Sequence, residues 1–340
     1  MATVNVVTCI SAGGPTFINE GLDEDSLKKI KAVSRTVKVT DASVLLAEEQ
    51  GGNLGHKARF DTILADCEVL FAFRLPQNVL KRAPNLKWIQ VTSAGVERYL
   101  NSEMIASPVI LTNASGIHAT PISEWVIMTM LMFAKRMPQY FEFKRAKQWE
   151  RLASSVLNGR TVGVIGLGDI GREVARLAKA FRMNVIGTKR TVKSGDRVRY
   201  VDKLVPRGQI YRLFRESDFV VVAVPFTSET QKMVGEKELK LMKPSAYLFN
   251  IGRGDIIDEP VLIRALEEKG ISGAGLDVFT REPLPADSKL WGLDNVILTP
   301  HVSGSMEDYV ARACDLFVKN LKRYIEGKRL VNVVDKKRGY

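Results

Sequence analysis

Arg253, Glu282 and His301 are the residues whose types and order could do chemistry together. They fall in three short segments: Phe249-Asn-Ile-Gly-Arg253-Gly-Asp, Gly275-Leu-Asp277-Val-Phe-Thr-Arg-Glu282-Pro-Leu, and Leu298-Thr-Pro-His301-Val-Ser-Gly304. Each segment follows an apolar run of strand length. An imidazole takes or gives a proton near neutral pH. A carboxylate beside it favours the imidazolium and fixes the ring tautomer. A guanidinium presents a planar fork to a carboxylate. The set suits a secondary alcohol losing its hydroxyl proton to a base as hydride leaves carbon, or the reverse. Of the three histidines, His56 and His118 stand in no such company, and His118 reads as a structural or cleft-lining residue.

A hydride needs an acceptor, and a fourth segment supplies its seat. Thr161-Val-Gly-Val-Ile-Gly166-Leu-Gly168-Asp169-Ile170-Gly171 is a G-x-G-x-x-G directly after an apolar strand and opening a helical pattern. That context is what gives the motif its meaning. Gly166 permits the tight turn, Gly168 lets backbone approach a pyrophosphate, and Gly171 lets helix and strand pack closely. The N–H groups of Asp169 and Ile170, at the positive end of the helix dipole, then face the phosphates. The next strand runs into Thr188-Lys189-Arg190-Thr191. A site specific for NAD carries Asp or Glu near here to bind the ribose 2′-hydroxyl. Two cations and the Thr191 hydroxyl instead suit a 2′-phosphate, so the expected cofactor is NADP(H), with NAD(H) as the second choice.

These segments need elements to hold them. Strand-length apolar runs alternate with helix-length segments, the pattern of parallel sheets with crossover helices. The first part offers strands over Val4–Ile10, Val37–Val39, Val69–Phe73, Trp88–Val91 and Val109–Thr112, with no glycine fingerprint of its own. An almost wholly apolar helix is expected from Thr120, as N-cap, to Arg136. A second unit starts near Arg160, with strands over Thr161–Ile165, Asn184–Gly187, Phe219–Val224, Tyr247–Ile251, Gly273–Leu276 and Val296–Leu298. Glu307–Glu326 is an amphipathic helix.

The chain's 340 residues suggest about two domains. Its net charge of +12 is spread along the chain without a nucleic-acid-binding signature, which disfavours that partner. The longest nearly uncharged apolar run, Trp125–Ala134, falls far short of a bilayer span, and the opening strand carries no basic segment before it. Cys9, Cys67 and Cys314 are scattered and form no CxxC pair. They read as inert residues of a protein in the reducing cytoplasm, with no metal site.

The order of glycine fingerprint, N-x-G-R-G, D-V-F-x-x-E-P and T-P-H-x-x-G resembles the D-isomer-specific 2-hydroxyacid dehydrogenase family over nearly the whole chain. The resemblance implies an α/β fold of two doubly wound parallel-sheet domains. A flavodoxin-like substrate domain would comprise about 1–112 with 305–340, and a Rossmann NAD(P)-binding domain 113–304. It implies that Arg253 binds the substrate's carboxylate and carbonyl, Glu282 supports the histidine, and His301 is the proton donor and acceptor. Ala94 and Gly95, in Thr92-Ser-Ala94-Gly95-Val-Glu97, would hold the substrate carboxylate by their backbone N–H groups. Val224, Pro225 and Thr230 would line the adenosine side of the cofactor. Ile251 and Asp277 would lie near its ribose and carboxamide, with Arg253, His301 and Gly304 also bordering it. The apolar helix would pack against a second subunit, giving a homodimer, and the partner molecule would be a small 2-keto or 2-hydroxy acid. An acid at Glu282, where formate dehydrogenases have glutamine, favours a 2-hydroxy acid over formate. The C-terminal-binding transcriptional corepressors look similar, so a cofactor-sensing binding protein is the alternative. Glyoxylate/hydroxypyruvate reductase and phosphoglycerate dehydrogenase are the variants within the enzyme class.

Overall fold

The computed structural model describes residues 3–10, 22–193 and 195–340, which divide into two compact units. Unit 1 comprises Met1–Ile117 with Ser305–Tyr340, and unit 2 comprises His118–Gly304.

Unit 1 carries β1 (Val4–Cys9), α1 (Glu24–Lys31), β2 (Val37–Asp41), α2 (Ser43–Gln50), α3 (Lys57–Ala65), β3 (Val69–Ala72), α4 (Val79–Arg82), β4 (Trp88–Val91), α5 (Ser102–Ala106) and β5 (Ile110–Thr112). Unit 2 carries α6 (Ala119–Ala134), α7 (Met137–Ala146), β6 (Thr161–Ile165), α8 (Asp169–Ala180), β7 (Asn184–Thr188), β8 (Lys203–Leu204), α9 (Ile210–Glu216), β9 (Phe219–Val222), α10 (Glu236–Leu241), β10 (Tyr247–Asn250), α11 (Glu259–Glu267), β11 (Gly273–Leu276) and β12 (Val296–Leu298). The last helix, α12 (Tyr309–Ile325), belongs to unit 1.

Among the described residues, every pairing between the named strands is parallel. Unit 1 has the order β2-β1-β3-β4-β5, the flavodoxin-like winding. Unit 2 has the order β12-β11-β10-β9-β6-β7-β8, so the winding reverses between β6 and β9. Ligands of such sheets bind outside the carboxyl ends of the strands at that reversal.

Strands buried on both faces explain the near-continuous apolar runs in the sequence. Val69–Ala72 and Phe219–Val222 are buried at every position. One face of the unit 1 sheet packs against α12 through Phe317, whose ring stacks on Phe71 with centroids 4.4 Å apart. In unit 2 the apolar helix α6 lies against α8 and shares a core with Val164, Val174 and Phe249.

Several boundaries differ from the expected ones because the caps fall elsewhere. The apolar helix begins at Ala119, with His118 rather than Thr120 at the N-cap position. Pro121 is its third residue, where the missing N–H is still one that no helix turn would use. The helix stops at Ala134, because Arg136 takes a left-handed φ of 60° and turns the chain into α7. The expected strands over Val109–Thr112 and Phe219–Val224 are trimmed to β5 and β9. Two-residue β8 gave no periodic signal to read. Among the described residues, no helix is long and apolar enough to cross a membrane. The three cysteines are buried and free, and burial pushes the Cys67 thiol up to about 12.

Candidate active site

The glycine turn sits at the carboxyl end of β6, beside the reversal. Gly166 takes φ 100° and donates its N–H to Thr188 O at 3.0 Å, which sets Lys189 and Arg190 next to the turn. A Cβ on Gly171 would fall 1.9 Å from Gly166 O, so only glycine lets α8 start this close to the turn. The first intrahelical bond of α8 is Arg172 N–H to Gly168 O at 3.0 Å. The amides of Asp169, Ile170 and Gly171 precede it and are therefore free of the helix ladder. Space beyond Gly168 is open, with nothing within 4 Å of where its Cβ would stand. A strand, an open glycine turn and a twelve-residue helix start fit the pyrophosphate of a dinucleotide.

Three neighbouring strand ends carry the chemical groups. β10 leads to Arg253, β11 to Asp277 and Glu282, and β12 to His301. They approach closely because Gly254 has no side chain: its Cβ would fall 1.9 Å from the carbonyl carbon of Phe279. The Phe279 N–H in turn donates to Glu282 Oε1 at 3.0 Å. Glu282 Oε2 lies 2.8 Å from His301 Nδ1. Burial would push the Glu282 carboxyl up, but the hydrogen bond and charge of His301, the Phe279 N–H and the Arg253 guanidinium hold it below its ordinary value. His301 is thereby held through Nδ1.

Two buried side chains shape these loops. Asn250 is 1% exposed; its amide donates to Arg253 O at 2.9 Å and accepts from Gly252 N–H at 3.1 Å. The Arg253 guanidinium donates to Gly252 O at 2.7 Å. Asp277 is 1% exposed and gathers the whole turn around His301. Its Oδ1 accepts from the Thr299 hydroxyl at 2.6 Å and from Val302 N–H at 2.9 Å, and its Oδ2 from Ser303 N–H at 2.9 Å. His301 itself has a left-handed φ of 54°. Asn250 stood in the quoted N-x-G-R-G without a role, and nothing in the sequence separation of Asp277 from Thr299 and Ser303 signals their bonding.

His118, expected to be a structural or cleft-lining residue, also belongs to this neighbourhood. It faces Gly304, whose Cβ would be 3.0 Å from His118 Cδ2. Burial, with the charges of Arg253 and His301, pushes its imidazole down to about 4, so it stays neutral at ordinary pH.

The remaining expected residues fall in several places. Val224 abuts the glycine turn, its Cγ1 2.8 Å from a Gly166 Cβ. The Thr230 hydroxyl is spent inside its own loop, donating to Pro225 O at 2.7 Å and accepting from Thr227 N–H at 2.8 Å. Ile251 is 6% exposed and packs into the unit 2 core. The Asp169 carboxylate pairs with Arg172 at 2.7 Å, and Thr191 is exposed. Lys189 pairs with Asp196 at 2.9 Å, a carboxylate that the chain brings back from seven residues downstream of the strand end. Ala94 and Gly95 lie in unit 1, after β4, where Asn113 donates to Ala94 O at 2.7 Å and the Ser93 hydroxyl to Gly95 O at 2.8 Å. Among the described residues no cluster could hold a metal ion.

A reversing parallel sheet with a glycine turn, beside an imidazole–carboxylate pair and a guanidinium, defines a nicotinamide-dependent dehydrogenase. Comparison with known proteins narrows the class. Residues 127–303 match the NAD binding domain of the D-isomer specific 2-hydroxyacid dehydrogenases. The chain is 34% identical over 272 residues to a glyoxylate reductase of Pyrococcus furiosus, covering 77% of this chain and 80% of that protein. Its fold is similar to a D-isomer specific 2-hydroxyacid dehydrogenase family protein from Aeromonas salmonicida, with TM-score 0.82, 28% identity and coverage of 98% and 100%. It is also similar to a D-isomer specific 2-hydroxyacid dehydrogenase from Xanthobacter autotrophicus solved with NADPH and MES, with TM-score 0.81, 26% identity and full coverage of both chains. The chain belongs to the D-isomer specific 2-hydroxyacid dehydrogenase family. It is an NAD(P)-dependent oxidoreductase that passes hydride between 2-hydroxy and 2-keto acids.

Proposed function

We propose that the protein is an NADPH-preferring reductase of small 2-keto acids, with glyoxylate and hydroxypyruvate as the first substrates to test. The observation that carries the reading is the 2.8 Å pair of His301 and Glu282 on strand ends beside Arg253, in the same sheet as the glycine turn. The preference for small acids is supported by the similarity to the glyoxylate reductase of Pyrococcus furiosus. The preference for NADPH is supported by Lys189 and Arg190 beside the glycine turn, and by the relative solved with NADPH.

The bound nicotinamide supplies the hydride. The amides of Asp169, Ile170 and Gly171 hold the pyrophosphate with the dipole of α8 behind them. Lys189 and Arg190 meet the 2′-phosphate. The Arg253 fork holds the substrate's carboxylate and carbonyl. His301 Nε2 gives its proton to the carbonyl oxygen, while Glu282, bonded at Nδ1, fixes the tautomer and orientation of the ring. The backbone around Val224, Pro225, Ile251 and Gly304 borders the cofactor.

The test is initial-rate kinetics with glyoxylate, hydroxypyruvate, pyruvate and other keto acids, each with NADPH and NADH. Turnover with a two- or three-carbon keto acid, faster with NADPH, is expected. His301→Ala should slow that turnover by roughly 10²–10⁴. No cofactor consumption with any acid, or near-normal turnover by His301→Ala, would overturn the reading.

The protein is further proposed to act as a homodimer in the cytoplasm. Met128, Phe141 and Trp149 leave apolar side chains 46%, 43% and 91% exposed along and after α6 and α7, a surface suited to a second copy. Three free thiols fit a reducing compartment. Light scattering should report twice the chain mass of 37.9 kDa; a value of 37.9 kDa would refute the dimer.

A further inference from the structure

The cation expected to meet a 2′-phosphate already has an anionic partner. Lys189 Nζ lies 2.9 Å from Asp196 Oδ2, and both side chains are about one-third exposed, at 35% and 28%. Asp196 is fixed in place by a small turn: Oδ2 also accepts Lys193 N–H at 3.1 Å, and Asp196 N–H donates to Lys193 O at 3.1 Å. Its Oδ1 has no partner among the described residues. The pair stands next to the glycine turn, because Thr188, the residue before Lys189, accepts the Gly166 N–H.

We propose that Asp196 sets the balance between NADPH and NADH by competing with the 2′-phosphate for Lys189. The inference rests on the reading that Lys189 belongs to the 2′-phosphate site. A phosphate arriving at Lys189 meets a carboxylate of like charge within hydrogen-bond distance of the same ammonium, and that repulsion weakens NADPH. A ribose with a free 2′-hydroxyl meets no such repulsion. It finds in Asp196 the acceptor that NAD-specific sites place at the end of this strand, delivered here from farther along the chain. The carboxylate thus lowers discrimination and keeps both cofactors usable. A solvent-screened pair of this kind changes affinity by a modest factor rather than by orders of magnitude.

The experiment titrates wild type, Asp196→Asn, Lys189→Ala and the double variant with 2′,5′-ADP and with ADP by calorimetry. It also compares kcat/KM for NADPH and NADH. Asparagine keeps an acceptor for the Lys193 amide, and Asp196→Ser is the second variant should asparagine disturb the turn. Asp196→Asn is expected to bind 2′,5′-ADP about three- to fivefold tighter and to raise the NADPH/NADH ratio of kcat/KM by a similar factor. Lys189→Ala is expected to weaken 2′,5′-ADP about tenfold or more. In that background, Asp196→Asn should gain less than about twofold, since the competition is for the lysine. If Lys189→Ala leaves 2′,5′-ADP affinity intact, the placement of the 2′-phosphate site is wrong. If Lys189→Ala weakens it but Asp196→Asn leaves the ratio unchanged or lowers it, the competition alone is refuted and the lysine's role stands.

Discussion

Replacing Asp277 by asparagine tests whether the turn around His301 is held by one buried carboxylate. The change keeps shape and removes a charge. With Oδ1 kept as oxygen, the Thr299 hydroxyl and Val302 N–H still have their acceptor, but the new amide N–H₂ faces Ser303 N–H across a 2.9 Å contact. Flipped, the amide satisfies Ser303 and faces Val302 N–H instead. Either way one backbone N–H loses its acceptor at a site where Asp277 is 1% and Ser303 6% exposed. An unsatisfied buried amide costs about 1–3 kcal/mol, and the bonds that remain weaken when the charge is lost. The expected destabilisation is about 2–4 kcal/mol, by denaturant unfolding of the cofactor-free protein. If the turn relaxes locally, His301 leaves its left-handed φ and shifts from the reacting carbonyl. A shift of about 1 Å is enough to lower turnover roughly a hundredfold. Steady-state kinetics should therefore show a large fall in kcat with KM for NADPH changed by less than about threefold. Retention of kcat within twofold, together with a stability change below about 0.5 kcal/mol, would refute the anchoring role. Kept kcat with a strongly raised KM for NADPH would instead make Asp277 a cofactor contact, as the family resemblance implies.

His118 should make stability depend on pH. Its folded value of about 4 lies below the ordinary 6.5, so below pH 6.5 the unfolded chain binds a proton that the folded chain refuses. Stability contributed by the neutral form is complete above 6.5 and is lost as pH falls towards 4. Between pH 7 and pH 5 the loss is about 2 kcal/mol at 1.36 kcal/mol per unit. His118→Gln should lose that much less than wild type over the same interval in denaturant melts; equal losses would show that His118 does not titrate this way. Gly171→Ala places a methyl 1.9 Å from Gly166 O. It should cost about 1–3 kcal/mol and abolish 2′,5′-ADP binding, and calorimetry showing wild-type affinity would contradict the close approach.

Much of the site was legible in the sequence because strand ends are local. An apolar run followed by a turn announces a carboxyl edge, and Gly166–Gly171, Arg253, Glu282 and His301 each follow such a run. The parallel α/β fold was legible for the same reason, since strands buried on both faces must be apolar throughout. Caps were less so: nothing in His118-Ala119-Thr120 favours His118 as the cap, and the turn at Arg136 depends on a backbone angle that no side chain announces.

The tertiary structure alone decided which polar groups meet. Asp277 reaches Thr299 and Ser303 because β11 and β12 lie side by side, and Gly254 meets Phe279 because β10 and β11 do. Asp196 reaches Lys189 because a turn sends the chain back. His118 joins Gly304 although the two are at opposite ends of unit 2. Residue type and local spacing specify what a group can do. Which partner tunes it is set by hydrogen bonds and charges that act through space over a few ångströms, and those distances exist only once the sheet has closed its register.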